Sequence, residues 1–203
     1  MSRFRKGRVQ ISPGFCLLTG WFLLVNGWEL LAIVLSAAAL HELGHLLVLR
    51  LCGAEIQRLR INLFGAALET SGSRLSYGAE LAALLAGPAA NLLCAAILAA
   101  LDGERWATVI GAQLILGGFN LLPLRPLDGG RALETLVSWV RGPIAGERAA
   151  RLVGGSAALA LFWGTVQLVR LSGGNLWLLP PALAMLFIAA AELTGTGASL
   201  AQR

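Results

Sequence analysis

Residues 28–49 read WELLAIVLSAAALHELGHLLVL, an apolar run that is long enough to cross a membrane and that contains both histidines of the chain. His41 and His45 are four positions apart, so on a helix they project from the same face about one turn from each other. That spacing lets both imidazoles reach one metal ion, with Glu42 beside them to take a proton from a water molecule on the metal. Ionisable side chains are costly inside a membrane and usually functional there. The run therefore predicts a zinc hydrolase site buried in a membrane.

The composition is typical of membrane proteins. Of the 203 residues, 57% are hydrophobic and 13% are charged, whereas soluble domains are about half apolar and a quarter charged. We therefore expect residues 1–203 to form a single polytopic transmembrane domain. The net charge of +5 does not indicate nucleic-acid binding, because the charges lie at the ends of the apolar runs, where they orient a protein in a bilayer. The three cysteines are isolated, which predicts neither a disulfide framework nor a thiolate metal site.

Most of the apolar segments approach the length of about 20 residues that a membrane-spanning helix requires. They predict an all-α membrane protein with about six transmembrane helices. The first segment is the shortest, and its length leaves open whether it crosses the membrane fully. The predicted segments are Pro13 to Val25, Trp28 to Leu49, Leu81 to Leu101, Trp106 to Leu122, Leu152 to Val169 and Leu176 to Ala191.

The basic residues predict an orientation in the membrane. If six segments span and the N-terminus is inside, all but Arg105 and Arg170 of the 16 Lys and Arg residues fall on the inner side. Basic residues are enriched in cytoplasmic segments. We therefore expect both termini in the cytoplasm, with the histidine site opening towards the cytoplasmic side.

Two inner segments have structure of their own. Apolar and polar side chains alternate from Ile56 to Leu63, and Phe64-Gly65 offers a turn into Ala66 to Thr70, so we expect a small membrane-associated β-hairpin on the cytoplasmic side. From Arg131 to Arg141 the apolar residues share one helical face. That pattern predicts a helix lying in the membrane interface.

Zinc catalysis normally uses three protein ligands, and the chain has no third histidine. Asp128 is a candidate because it follows an apolar segment within residues 120–130, NLLPLRPLDGG. Prolines and glycines break a helix there, which is tolerated at membrane depth only inside protein or beside a wet cavity. The residues alone leave two interpretations of Asp128 open: it is a metal ligand, or it caps a helix that starts near Gly130.

Three motifs resemble those of the site-2 proteases, polytopic zinc enzymes that cut other proteins within or beside their membrane segments. The HELGH stretch at 41–45 matches their zinc motif, and residues 120–130 resemble their second signature, in which an Asn and a Pro lead to Leu-Asp-Gly-Gly. Residues 87–91, GPAAN, resemble a further element, Gly-Pro-x-x-Asn, in the third helix. The resemblance covers about Gly7 to Leu193.

The resemblance assigns roles to six residues. It implies one zinc ion held by three ligands: His41, His45 and Asp128. It makes Glu42 the catalytic base. It places Asn91 and Asn120 near the catalytic centre, where they position or polarise the substrate. The edge strand of the hairpin would receive the substrate in extended form, since a helix hides its peptide bonds.

The function implied by the resemblance is that of an intramembrane zinc metalloendopeptidase. Its substrates would be membrane-tethered proteins such as a pro-sigma or anti-sigma factor, cut within or next to a membrane segment in a bacterial cell membrane, with inhibitory or regulatory membrane proteins as further partners. We expect neither a PDZ nor a CBS domain, so the chain most resembles the compact branch that includes a sporulation protease. Two alternatives remain: a membrane zinc hydrolase of a lipid or small amide, and a non-catalytic membrane protein.

Overall fold

The computed structural model describes residues 9–62, 65–71, 75–172, 183, 186–187 and 189–191, with side chains for those outside 9–11 and 55–71. Residues 1–118 and 119–203 form two compact units, and the boundary between them falls in the last turn of the third helix. The elements in chain order are β1 (Val9–Ile11), α1 (Pro13–Leu51), β2 (Glu55–Asn62), β3 (Gly65–Ser71), α2 (Tyr77–Asp102), α3 (Ala107–Asn120), α4 (Asp128–Arg141) and α5 (Pro143–Leu171).

Helix α1 is a 39-residue element with a kink in its first half. It begins at a capped turn, in which the Ser12 side chain accepts a hydrogen bond from the backbone N–H of Phe15 at 3.2 Å, and Pro13 occupies the first helical position, where no N–H is needed. At Gly27 the backbone has φ 82° and ψ 170°, a conformation open almost only to glycine. The first two predicted segments therefore lie in one kinked element.

The strands form a three-stranded sheet in the order β1-β2-β3. Strand β2 pairs antiparallel with β3, with Glu55 opposite Ser71 and Asn62 opposite Gly65. The short strand β1 pairs parallel with β2, with Val9 opposite Leu59. The segment just before α1 is thus tied to the segment that follows it.

The prediction of an all-α membrane protein with about six transmembrane helices and a small membrane-associated β-hairpin is wrong in its fold class, in its number of spans and in its number of strands. In the part of the chain that the structure describes, three helices are long and apolar enough to span a membrane: α1, α2 and α5. Helix α3 has 14 residues and is about 21 Å long at 1.5 Å per residue, short of the roughly 30 Å hydrocarbon core. The sixth predicted segment, Leu176 to Ala191, lies mostly outside the described residues. The sheet has a third strand, and the protein is not all-α.

Helices α1 and α2 pack closely because small residues lie between them. A Cβ on Gly44 would lie 2.6 Å from the backbone oxygen of Ala86 and 3.1 Å from the Cβ of Ala90. Ala37 on α1 and Ala83 on α2 are buried. Helices in membranes associate through such small residues, which let the backbones approach and leave room for polar side chains between them.

In the second unit, the irregular segment 121–127 folds back against the start of α4. A Cβ on Gly129 would lie 2.6 Å from the backbone oxygen of Leu122, and one on Gly130 would lie 2.6 Å from the backbone nitrogen of Arg125. The two glycines are therefore required by a close approach of backbone to backbone. The apolar centre of this unit comprises Leu124, Leu127, Ala158 and Ala189.

The side chain of Arg125 ties the same segment to α4 and α5. Its guanidinium donates a hydrogen bond to the backbone oxygen of Glu147 at 2.9 Å, and its Nε lies 3.6 Å from a carboxylate oxygen of Glu134. Arg125 is buried, and a buried guanidinium requires such partners. The amphipathic helix predicted over Arg131 to Arg141 is the main part of α4, and its position in the membrane interface stays a prediction.

We predict opposite effects for two alanine substitutions in α1. Among the residues that the structure describes, a Cβ at Gly27 or at Gly20 would meet no atom within 4 Å, but Gly27 alone of the two has a positive φ. Gly27→Ala should lower the free energy of unfolding by about 1–3 kcal/mol. Gly20→Ala should raise it by about 0.5–1 kcal/mol, since alanine favours a helix. Equilibrium unfolding in mixed micelles measures both, and equal effects would show that the Gly27 conformation is unimportant.

Candidate metal centre

The two histidines of α1 bring their Nε2 atoms together. These atoms are 3.1 Å apart, and the rings are edge to face, with centroids 4.7 Å apart and planes at 80°. His41 is buried, with 4% of its surface exposed, and His45 is half-buried. The geometry predicted from the spacing of four residues is confirmed for this pair.

The opposite nitrogen of each ring contacts an oxygen atom of α2. Nδ1 of His45 lies 2.7 Å from the backbone oxygen of Ala83, and Nδ1 of His41 lies 2.7 Å from Oδ1 of Asn91. A carbonyl oxygen only accepts hydrogen bonds, so Nδ1 of His45 carries the hydrogen and donates it. A hydrogen bond at one ring nitrogen decides the tautomer and therefore which nitrogen presents a lone pair.

The orientation of the Asn91 amide follows from its other contacts. Its Nδ2 donates to the backbone oxygen of Ala37 at 3.0 Å and to Oε1 of Gln113. Since the two amide hydrogens point to these two acceptors, Oδ1 is the atom that faces His41. Nδ1 of His41 therefore also carries the hydrogen, as in His45.

This arrangement fits a metal ion. When both imidazoles are neutral, hydrogen on each Nδ1 leaves a lone pair on each Nε2, and two lone pairs at 3.1 Å do not form a hydrogen bond with each other. A cation coordinated by the two Nε2 atoms would attract both lone pairs. Two imidazole ligands of a tetrahedral zinc, each at 2.0–2.1 Å, have their nitrogens about 3.3 Å apart. Nδ1 hydrogen bonds to a carbonyl or side-chain oxygen are the usual outer contacts of metal-binding histidines.

Two glycines make room for the ring of His45 and for the close approach of α1. A Cβ on Gly87 would collide with Nε2 of His45 and would lie 2.6 Å from Cε1 of the same ring. Gly44, between the two histidines in α1, faces the backbone of α2 at Ala86. The glycine in each motif is therefore a steric requirement of the histidine pair.

The remaining predicted site residues occupy defined positions. Glu42 is half-buried and follows His41 in α1. Asn120 ends α3, and Asp128 begins α4, so both belong to the second unit. The cap residue of α4 is Leu127, which makes no side-chain capping bond. Asp128 thus lies in the first helical turn and is not the capping residue that the alternative interpretation required. Within the first unit, the structure brings together His41, His45 and Asn91.

Three partners in this network were not predicted from the sequence: Gln113 and the backbone oxygens of Ala37 and Ala83. Gln113 carried a usable signal, because an amide in the middle of the mostly apolar helix α3 is costly at membrane depth unless it has a partner. It is 3% exposed. Backbone acceptors have no sequence signal. The roles in substrate positioning predicted for Asn91 and Asn120 stay predictions.

Comparison with known proteins identifies the family. Residues 29–103 and 104–163 match the model of peptidase family M50. Rip3 of Mycobacterium tuberculosis, named as a candidate zinc metalloprotease, is 33% identical over 159 residues, which are 69% of this chain and 39% of Rip3. The zinc metalloprotease MJ0392 of Methanocaldococcus jannaschii is 29% identical over 144 residues, which are 66% of this chain and 42% of that protein. The family match covers more than half of the chain, which therefore belongs to peptidase family M50.

The fold agrees with this family. The solved structure of the site-2 protease from Methanocaldococcus jannaschii superposes with a TM-score of 0.63 at 23% identity, covering 96% of this chain and 94% of that one. The long apolar helices and the family together make the chain a membrane protein. The chain spans about two fifths of the length of the curated relatives it matches.

We predict that Gly87→Ala weakens metal binding. The added methyl group would occupy the space of the His45 ring and force its Nε2 away from that of His41. Gly111→Ala in α3 is the matched control, because a Cβ there meets no atom of the described part of the chain within 4 Å. Competition with a chromophoric zinc chelator should show an affinity at least about tenfold lower for Gly87→Ala and no change for Gly111→Ala. Equal affinities would contradict the steric role of Gly87.

Proposed function

We propose that this chain is an intramembrane zinc metalloprotease that hydrolyses peptide bonds within or next to the membrane segments of membrane-tethered proteins. The observation that carries the proposal is the pair of Nε2 atoms 3.1 Å apart on a long apolar helix, with both Nδ1 atoms already hydrogen-bonded to oxygen. Membership of peptidase family M50 and the names of the two relatives give the same reaction class.

The proposed ligand set is His41, His45 and Asp128. Two imidazoles and a carboxylate are donors that zinc accepts, and three protein ligands leave a position for water and substrate. Asp128 is one of the two aspartates of the chain, and it lies in the second segment of the family match. When bound, zinc would lower the pKa of a coordinated water to about 7 and polarise the scissile carbonyl.

Glu42 is the proposed general base and acid. Its carboxylate takes the proton from the attacking water and then gives it to the nitrogen of the departing amine, so that the C–N bond breaks without releasing an unstable anion. Its place next to His41 in α1 puts it on the element that carries both imidazoles. Asn120 is proposed to position or polarise the substrate, since its amide can donate to a peptide oxygen.

The substrate class follows from the location of the site. His41 and His45 belong to one of the helices that are apolar enough to span a membrane, so the peptide bond to be cut must reach the depth of a membrane segment. The four Lys and Arg residues among residues 1–8 support a cytoplasmic N-terminus, and we propose the same side for the C-terminus. We therefore propose a membrane-tethered protein substrate that is cut from the cytoplasmic side.

We predict that Glu42→Gln retains zinc and loses proteolysis. The amide has nearly the shape of the carboxylate but does not accept the proton of the attacking water. The purified variant should hold the same zinc per chain as wild type by elemental analysis. It should cleave a membrane-tethered reporter at least about 100-fold more slowly.

Glu29→Gln is the matched control, since Glu29 is an exposed residue of the same helix. It should leave both zinc content and cleavage unchanged. Cleavage by Glu42→Gln at the rate of wild type would exclude Glu42 as the base. If wild type and Glu42→Gln hold equal zinc but wild type cleaves no protein, the chain would instead be a hydrolase of lipids or small amides.

The two aspartates allow a matched test of the third ligand. Asp128→Asn replaces the proposed ligand by a neutral amide and should lower zinc affinity by at least about tenfold. Asp102→Asn changes an exposed residue, whose carboxylate accepts a hydrogen bond from the backbone of Arg105 at 3.2 Å, and should leave affinity unchanged. Chelator competition measures both, and an unchanged affinity for Asp128→Asn would remove Asp128 from the ligand set.

A further inference from the structure

We propose that Gln113, acting through Asn91, is a positioning residue that fixes His41 in the tautomer with hydrogen on Nδ1. This inference rests on the proposed zinc site, because the tautomer decides whether Nε2 of His41 is available as a ligand. It assigns a role to a residue of α3 whose side chain contacts Asn91 of α2.

The three side chains form a directional chain of hydrogen bonds across three helices. Gln113 of α3 accepts from Nδ2 of Asn91 in α2, and Oδ1 of Asn91 accepts from Nδ1 of His41 in α1 at 2.7 Å. Their exposed fractions are 3%, 0% and 4%. At such burial a polar atom without a partner is strongly destabilising, so each acceptor restricts the orientation of the next group.

The contacts of Asn91 favour positioning over substrate polarisation. One amide hydrogen points to the backbone oxygen of Ala37 and the other to Gln113. A residue that polarises a substrate oxygen must donate a hydrogen bond to it, and in this arrangement both hydrogens of Asn91 are used inside the protein. The remaining polar atom of the Asn91 side chain is Oδ1, which accepts the hydrogen bond from Nδ1 of His41.

The packing of α3 against α2 supports the role of Gln113 in orienting Asn91. A Cβ on Gly117 would lie 3.1 Å from the Cβ of Asn91 and 3.3 Å from the backbone oxygen of Pro88. This glycine, one turn beyond Gln113, lets α3 approach α2 at the level of Asn91. The amide of Gln113 is thereby held against Asn91 by a helix contact.

His45 provides an internal reference. Its Nδ1 donates to the backbone oxygen of Ala83, which no side-chain substitution at Gln113 removes. Because the chain has two histidines, a spectrum of the imidazole nitrogens contains one ring that depends on Gln113 and one that does not.

The test compares Gln113→Met with Gln113→Glu in the full chain in micelles. Methionine keeps the length of the side chain but has only a weak acceptor, whereas glutamate keeps an oxygen acceptor. Without the acceptor, the Asn91 amide turns more readily and offers an N–H to Nδ1 of His41, which favours the other tautomer. ¹⁵N spectra of the imidazoles report the tautomers, and chelator competition reports zinc affinity.

For Gln113→Met we expect a new population of His41 with hydrogen on Nε2, an unchanged His45 ring, and a zinc affinity about 10- to 100-fold lower. Gln113→Glu should keep the affinity within about threefold of wild type. A Gln113→Met variant with the tautomer and zinc affinity of wild type would overturn the proposal, even if its thermal stability were lower, because the role of Gln113 would then be packing alone.

A double-mutant cycle tests whether Gln113 acts through Asn91. Asn91→Leu removes both the donor and the acceptor with little change of shape and should weaken zinc binding by itself. If Gln113 acts through Asn91, adding Gln113→Met to Asn91→Leu should cause no further loss. If Gln113→Met lowers zinc affinity as much in the Asn91→Leu background as it does in wild type, Gln113 does not act through Asn91, and the proposal is overturned.

Failure of this inference is distinguishable from failure of the proposed function. If wild type binds no zinc under any condition, the proposed metal site is wrong, and so is the role proposed for Gln113. Suppose instead that wild type binds zinc tightly and cleaves a protein substrate, and that Gln113→Met binds zinc equally well. The protease proposal then stands, and only the positioning role of Gln113 is wrong. If Asn91→Leu does not fold, the comparison of Gln113→Met with Gln113→Glu still decides the question.

Discussion

The structure around the site depends on one constraint: two imidazoles on a long apolar helix must hold their Nε2 atoms 3.1 Å apart. Each ring therefore requires an acceptor at Nδ1, and both acceptors come from α2. For α2 to be near enough, small residues must lie where the helices meet, which explains the glycines at 44 and 87. The histidine motif and the Gly-Pro-x-x-Asn motif are thus two halves of one packing arrangement.

Helix positions near the site could be predicted from the sequence, but the number of spans could not. Apolar length and the four-residue spacing placed His41 and His45 on one face of one helix, as observed. Hydropathy counts apolar stretches and does not distinguish a kink from a loop, so it predicts two segments where the chain has one helix kinked at Gly27. Hydropathy also predicts a membrane-spanning segment where the chain forms the short helix α3. Strand β1 has three residues, too few for an alternating pattern.

The residues proposed to bind the metal were more predictable than the contacts that orient them. A ligand pair has a spacing that can be recognised, and the resemblance of residues 120–130 to a family signature pointed to Asp128, which remains a proposed ligand. The carbonyl of Ala83 has no such signal, because every residue has a backbone oxygen and only the packing of α1 on α2 selects this one. Gln113 is intermediate: a polar residue in an apolar helix indicates a buried partner without naming it. The two glycines of the Asp-Gly-Gly stretch are explained by backbone contacts within the second unit, which only coordinates reveal.

X-ray absorption at the zinc edge of the purified full chain shows whether the histidine pair is a zinc centre. We expect one zinc per chain with two imidazole nitrogens and further oxygen ligands at about 2.0–2.2 Å, and no sulfur scatterer. A sulfur shell at about 2.3 Å would assign the metal to Cys16, Cys52 or Cys94 instead. A chain that cleaves its substrate without zinc or without imidazole ligands would contradict the account outright.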